Sequence, residues 1–306
     1  LNLNIKNKMA FKEMLAAYLL IAPALVLFLV IGLFTIIFSL GLSFFHMLQG
    51  SQVQNAKFAG LDNFKDFLFG GAPVLSEMFR NAIIHNFLIA LSMVVFVIPI
   101  ALILAVLLQQ IKRGTKFLRT VFLLPMVTSS VAIYYVWTGI YDPEGSINKL
   151  LLAMGIDHFA QLNGWLGELN TALPSIIFMI VWGAVPGTMV LYFAGLQTVD
   201  NLLYEAADID GASAFQKMIH ITWPVLKPIT VIAVILNING ALQVFEQIWI
   251  MTKGGPAGST QVVNVLIYQE AFVSGDMGRA NAMGWTMFLL TFVMSLLSMR
   301  AFREKT

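Results

Sequence analysis

The stretch EAADIDGASAFQKMIHITWP, Glu205 to Pro224, interrupts a chain that is otherwise mostly apolar. It carries Glu205, Asp208, Asp210, Lys217 and His220, with Lys227 just beyond. On insertion scales each such charge costs about 2.5 to 3.5 kcal/mol at the centre of a bilayer. The stretch is therefore expected to stand in water as a cytoplasmic handle on a membrane protein, within reach of a partner.

Composition outside this stretch sets the class. The 306 residues are 58% hydrophobic and 11% charged, with a mean hydropathy of +0.82, whereas soluble domains average about 25% charged residues. The expected fold is an all-α integral membrane protein of six transmembrane helices, with short helices in the polar loop. The spans read as 16–45, 81–111, 120–141, 169–199, 226–251 and 280–300. Each can cross roughly 30 Å of hydrocarbon at 1.5 Å per residue, the fifth only by running on through Glu246. A segment 1–15 precedes the membrane domain 16–302, whose loop is 200–224, and a tail 303–306 follows it. The first apolar run exceeds the core of about 7 to 15 residues typical of a signal peptide, so it reads as a retained span.

Orientation follows from basic residues near the span ends. Lys6, Lys8, Lys12, Lys112, Arg113, Lys116, Arg119, Lys217, Lys227, Arg300, Arg303 and Lys305 fall on one side, and Lys57, Lys65, Arg80, Lys149, Lys253 and Arg279 on the other. The twofold excess places both termini and the polar loop in the cytoplasm. The inverted topology is the alternative.

Several function classes drop out. With no Cys there are no disulfides, thiolate metal sites or thiol nucleophiles. His46, His85, His158 and His220 are scattered without ligand spacing, and no GxSxG, GxGxxG or GxxxxGK[ST] occurs. No metal, nucleic acid or ATP-binding device is expected, and the chain is not expected to be an enzyme by itself.

Pro23, Pro99, Pro125, Pro174, Pro186 and Pro228 lie in or beside apolar runs, where a neighbouring helix or a hydrated cavity must satisfy the freed carbonyls. The fifth run is the most polar, with Asn237, Asn239, Gly240, Gln243, Glu246 and Gln247. Asn239/Gln243 and Gln243/Glu246 stand four and three residues apart, which on one helix gives a shared face bordering a cavity. The alternative is that these side chains only bond neighbouring helices, at about 0.6 to 2 kcal/mol each. In the polar loop, Asp200 suits the N-cap of a short helix over 202–207, and Gly211 permits a turn into a second short helix that Pro224 ends. Ala206, Ala207, Ala212 and Ala214 allow close approach, and Phe215 offers an aromatic anchor. An amphipathic loop on the headgroups is the bland alternative.

Glu205-Ala206-Ala207, three residues, Gly211, nine residues, then Ile221-Thr222-Trp223-Pro224 resembles the EAA loop of ABC-importer permeases, EAA-x3-G-x9-I-x-L-P, with Trp223 in place of leucine. Phe117-Leu118-Arg119-Thr120, Leu123-Leu124-Pro125, Trp182 and Gly195-Leu196-Gln197 are similar to the sugar-importer branch. Gln243-Val244-Phe245-Glu246-Gln247 and Thr252-Lys253-Gly254-Gly255-Pro256 extend that likeness. From about residue 15 to 300 the chain resembles permeases of the maltose-transporter type.

The resemblance implies a type I ABC-importer permease in a bacterial or archaeal cytoplasmic membrane, surrounded by lipid. It implies four kinds of partner: a second homologous permease, two ATPase subunits, an extracytoplasmic sugar-binding protein and a carbohydrate. ATP and Mg belong to the ATPases, and this chain binds no cofactor. Glu205, Ala206, Ala207 and Gly211 would form the coupling element, with Asp210 and Phe215 as contacts. Ser130, Trp182, Asn237, Asn239, Gly240, Gln243 and Glu246 are the candidates for the sugar path, because aromatic faces and side chains that both donate and accept hydrogen bonds suit sugars. Glu246 has a second reading as a buried structural partner. The alternative of another class is an ion-coupled secondary transporter or channel with Glu246 as its proton or ion site, and within the ABC-permease class the alternative is glycerol-phosphate-like cargo. The latter would need cations that the spans lack.

Overall fold

The structure is a computed structural model that describes residues 2–48, 50, 56–111 and 114–301. Lys112, Arg113, Arg303, Lys305 and the tail 303–306, invoked above for orientation, lie outside the described residues. Among the described residues five helices are long and apolar enough to cross a membrane: α1 (Lys12–Leu42), α3 (Pro73–Gln109), α7 (Ala172–Leu196), α9 (Ala214–Leu242) and α12 (Met277–Arg300). A bent pair, α4 (Thr115–Val127) and α5 (Ser130–Ile140), is apolar enough for a sixth crossing if its two helices are taken as one span. Short helices connect them: α2 (Asp62–Leu68), α6 (Ser146–Ala153), α8 (Asn201–Ile209), α10 (Glu246–Met251) and α11 (Val263–Val273). Among the described residues the only sheet is a small antiparallel pair, β1 (Phe45–His46) and β2 (Lys57–Phe58).

Proline is absorbed rather than avoided. In α3 a π-helical turn, Met93–Val97, stands directly before the segment that holds Pro99, and in α9 the turn Met218–Thr222 does the same before Pro224. A widened turn relieves the clash between the proline ring and the preceding carbonyls. Pro224 therefore does not end a second short helix, as expected from the sequence. The helix that starts at Ala214 runs through it into the membrane.

The α4/α5 pair bends by 104°. Leu124 O accepts from both Thr128 N (3.1 Å) and Thr128 Oγ1 (2.8 Å), and Thr128 and Ser129 leave helical geometry, so α4 ends at Val127, just beyond Pro125.

The core lies where α3, α7 and α9 pack. Ile89, Val97, Ala101 and Ala105 of α3 meet Ile176, Met189, Tyr192 and Leu196 of α7, all nearly or fully buried. Gly195 is a point of close approach, since a Cβ there would lie 2.0 Å from Ile229 Cδ1. A second cluster joins Phe67, Phe79, Leu242, Leu266 and Met283. Beside it Arg279 Nε lies 3.1 Å from Asp66 Oδ2 and 3.4 Å from Asp276 Oδ2, while Nη1 is 3.5 Å from Glu270 Oε2. By contrast, none of the most apolar stretch of α1 is buried against the rest of the chain.

The fifth run is not one helix to Met251. α9 stops at Leu242, Gln243 and Phe245 leave helical geometry, and α10 starts afresh at Glu246. The reason lies on α3. Asn86, 1% exposed, donates through Nδ2 to Ala241 O (3.1 Å) and Leu242 O (3.4 Å), and its Oδ1 accepts from Val263 N (3.0 Å). One side-chain amide thus satisfies two terminal carbonyls of α9 and an orphan N–H at the start of α11.

Candidate functional site: a polar hairpin and a cavity between spans

The polar hairpin is built by caps. Asp200 Oδ1 accepts from Leu202 N at 2.9 Å and opens α8. Gly211, at φ +72°, turns the chain in a region that favours glycine. Ser213 and Gln216 then form a reciprocal capping box, with Gln216 N to Ser213 Oγ at 3.3 Å and Ser213 N to Gln216 Oε1 at 2.7 Å.

Glu205, Ala206, Asp210, Gly211 and Phe215 are exposed on this hairpin and Ala207 is half-buried. Phe215 is 72% and Ile209 87% exposed, so apolar side chains stand bare beside charged ones. Two cross-links escaped sequence reading. The Lys217 ammonium pairs with Asp208, and Tyr204 Oη lies 2.8 Å from Thr222 Oγ1.

The second feature is a cavity of about 320 Å³ at the α4/α5 bend, lined by Thr128, Ser130, Tyr134, Gly183, Gly240 and Gln247 among others. Cβ atoms added at Gly183 or Gly240 would meet nothing within 4 Å, so missing side chains on α7 and α9 leave the room. Ser130 Oγ donates to Glu246 Oε2 at 3.4 Å, and the carboxylate sits in the first turn of α10, where the helix dipole favours it. Ser130 and Gly240 thus share the cavity wall, with Glu246 tied to Ser130. Gln243 is exposed at the end of α9.

Three of the residues expected along the path make contacts outside this cavity. Asn237 is 7% exposed and donates to Thr188 Oγ1 (3.0 Å) and Ala233 O (2.8 Å), pinning α9 to α7. Asn239 Oδ1 lies 2.9 Å from Ser295 Oγ of α12. Trp182 stacks edge-on against Trp137 and lines a separate apolar cavity with Phe122, Phe178 and Pro186. Gln243 and Glu246, separated by the break, do not share a helix face. Sequence reading also missed Gly183 and Tyr134, although a glycine inside an apolar helix was a visible signal. Among the described residues no three His, Asp or Glu converge to hold a metal ion.

Residues 69–303 match the family described as binding-protein-dependent transport system inner membrane component. The chain belongs to this family. As an inner-membrane component it is membrane-embedded, in keeping with its apolar helices. It is 35% identical over 291 residues to a probable ABC transporter permease protein, YurN, of Bacillus subtilis (strain 168), covering 94% of this chain and 95% of YurN. It is 32% identical over 292 residues to the lactose transport system permease protein LacF of Rhizobium radiobacter, covering 94% of each. Its fold matches a chain of a bacterial ABC transporter involved in the import of the acidic polysaccharide alginate, with TM-score 0.83 and 22% identity over 98% of this chain and 99% of that one.

Proposed function

We propose that this chain is a permease subunit of an ATP-driven carbohydrate importer, forming the translocation path with a second homologous permease. The observation that carries the reading is the hairpin, a capped, cross-linked knob presenting Glu205, Asp210 and Phe215 outward. Its partners are two ATPase subunits, which bind ATP and Mg, and an extracytoplasmic sugar-binding protein. The chain itself performs no catalysis and holds no cofactor. The lactose permease among its relatives supports a saccharide cargo, and the lysine and arginine asymmetry supports a cytoplasmic hairpin and termini.

On this reading Glu205, Ala206, Ala207 and Gly211 couple the ATPases to the spans, with Asp210 and Phe215 in contact. Ser130, Gly240, Gln243 and Glu246 form the sugar-facing wall. Trp182, Asn237 and Asn239 hold that wall in place.

Mild-detergent purification from the native membrane, mass spectrometry of what accompanies the chain, and an ATPase assay test the reading. An ATPase and a second permease are expected. A lone chain that transports under an ion gradient would replace it with the secondary transporter. For the path, Gly240→Leu is expected to fold normally yet cut sugar uptake at least tenfold, because it fills open space where a bulky side chain blocks passage, as reconstituted uptake would measure; a factor of ten corresponds to about 1.4 kcal/mol.

A further inference from the structure

A hinge at Gly211 would waste any push delivered to α8, because the turn could flex before the membrane helix moved. The geometry points to a device that prevents this: we infer that the Tyr204–Thr222 contact is the strut that makes α8 and α9 move as one body, so that Tyr204 and Thr222 are positioning residues for coupling. The inference rests on the coupling role of the hairpin proposed above.

The strut is continuous. Thr222 Oγ1 donates to Lys217 O at 3.4 Å across the π-helical turn, which leaves Tyr204 Oη, 2.8 Å away, to donate to Thr222 Oγ1. Thr222 is 3% exposed and Tyr204 half-buried, so water competes poorly for this bond. The Lys217–Asp208 ion pair braces the same two helices nearer the turn, but Asp208 is exposed and the pair is screened. Ala212 N to Ala207 O (2.9 Å) and Gly211 N to Asp208 O (3.2 Å) close the turn between them.

The surroundings leave space for movement. A cavity of about 220 Å³ separates Tyr204, Ala214, Lys217, Met218 and Thr222 from Val106 and Gln109 of α3. The unit is thus rigid internally and loosely seated against the second span. Its remaining rigid continuation is α9, the helix that carries Gly240 to the cavity wall.

The test uses the assembled complex in proteoliposomes with its binding protein, reading ATP hydrolysed per sugar imported. Tyr204→Phe and Thr222→Val keep volume and remove the bond. Each is expected to leave ATP hydrolysis near wild type and to raise the ATP-per-sugar ratio roughly fivefold, the factor matching one typical net hydrogen bond. The double variant should be no worse than either single one, and Thr222→Ser should restore the ratio. A purely structural role would lower assembly, hydrolysis and import together and leave the ratio unchanged. Wild-type ratios in both single variants, or that parallel loss, overturn the strut. A wild-type complex without ATP-driven, binding-protein-dependent uptake would instead overturn the importer reading itself.

Discussion

The two ends of α9 respond to interruption in opposite ways. At Met218–Pro224 a proline, the strongest helix breaker, lies in the path, and the helix widens for one turn and continues. At Gln243–Phe245 no proline stands, and the helix stops. The difference lies in where the carbonyls find donors. Near Pro224 the hydroxyl of Thr222 reaches back to Lys217 O, within the same helix. Near Gln243 the donor is Asn86, on another helix, and it bonds the carbonyls of Ala241 and Leu242 at the end of the helical ladder. Local breakers bias a helix end, but the supply of donors decides it.

Asn86→Leu should break this comparison most severely. It strips the Asn86 donor from Leu242 O, leaves Ala241 O with only the long 3.5 Å bond from Val244 N, and takes the acceptor from Val263 N, and each unmet buried group costs about 1 to 3 kcal/mol. A loss of at least about 3 kcal/mol is expected, seen as a collapsed melting temperature in detergent. A variant that melts like wild type would mean that the break does not depend on Asn86.

Gly195→Val probes the clamp on the middle of α9. A Cβ there would lie 2.0 Å from Ile229 Cδ1 and 2.8 Å from Leu226 Cδ2, so these side-chain ends must leave their places or α7 and α9 must part, at about 1 to 3 kcal/mol by the usual cost of overpacking. Denaturant titration should find that loss, and full stability would show the crossing to be looser than its geometry.

Asn237→Leu should cost only about 1 kcal/mol, the bond to Thr188, while the wall at Gly240 keeps its shape. Uptake near wild type with a slightly lowered melting temperature would separate this pin from Gln243, where Gln243→Ala is expected to alter uptake itself. Pro224→Ala should do least, within about 0.5 kcal/mol of wild type, because the turn before it already accommodates the ring. Hydrogen exchange across 218–224 would check this, and strongly increased protection there would show that the proline limits the helix after all.

The sequence made legible what depends on near neighbours. The apolar runs marked the long apolar helices, and the fixed intervals from Glu205 to Gly211 to Pro224 marked the hairpin, because caps and turns act within a few residues. It hid what depends on distant partners. Asn237 and Asn239 shared the polar look of a path-lining face, yet Thr188 and Ser295 claim them from other helices. The break at Gln243 was invisible for the same reason, since Asn86 lies 155 residues before Ala241, whose carbonyl it holds. The cavity was half legible, through the glycines it needs. The 104° bend shows only as Pro125, three residues before the chain turns.

The knot around Arg279 has a consequence in time. Asp66 emerges from the ribosome 213 residues before the arginine that neutralises it. At about 5 to 20 residues per second that is a wait of roughly 10 to 40 seconds. During that interval the early loop carries a carboxylate with no cation assigned to it, and until Ala241 and Leu242 are made the Asn86 amide on α3 has no carbonyls to meet. Both are settled only when the last third of the chain has been made. The order of synthesis thus gives the molecule a closing step, in which late segments lock structure laid down early, and a nascent chain halted before Met277 would leave that lock open.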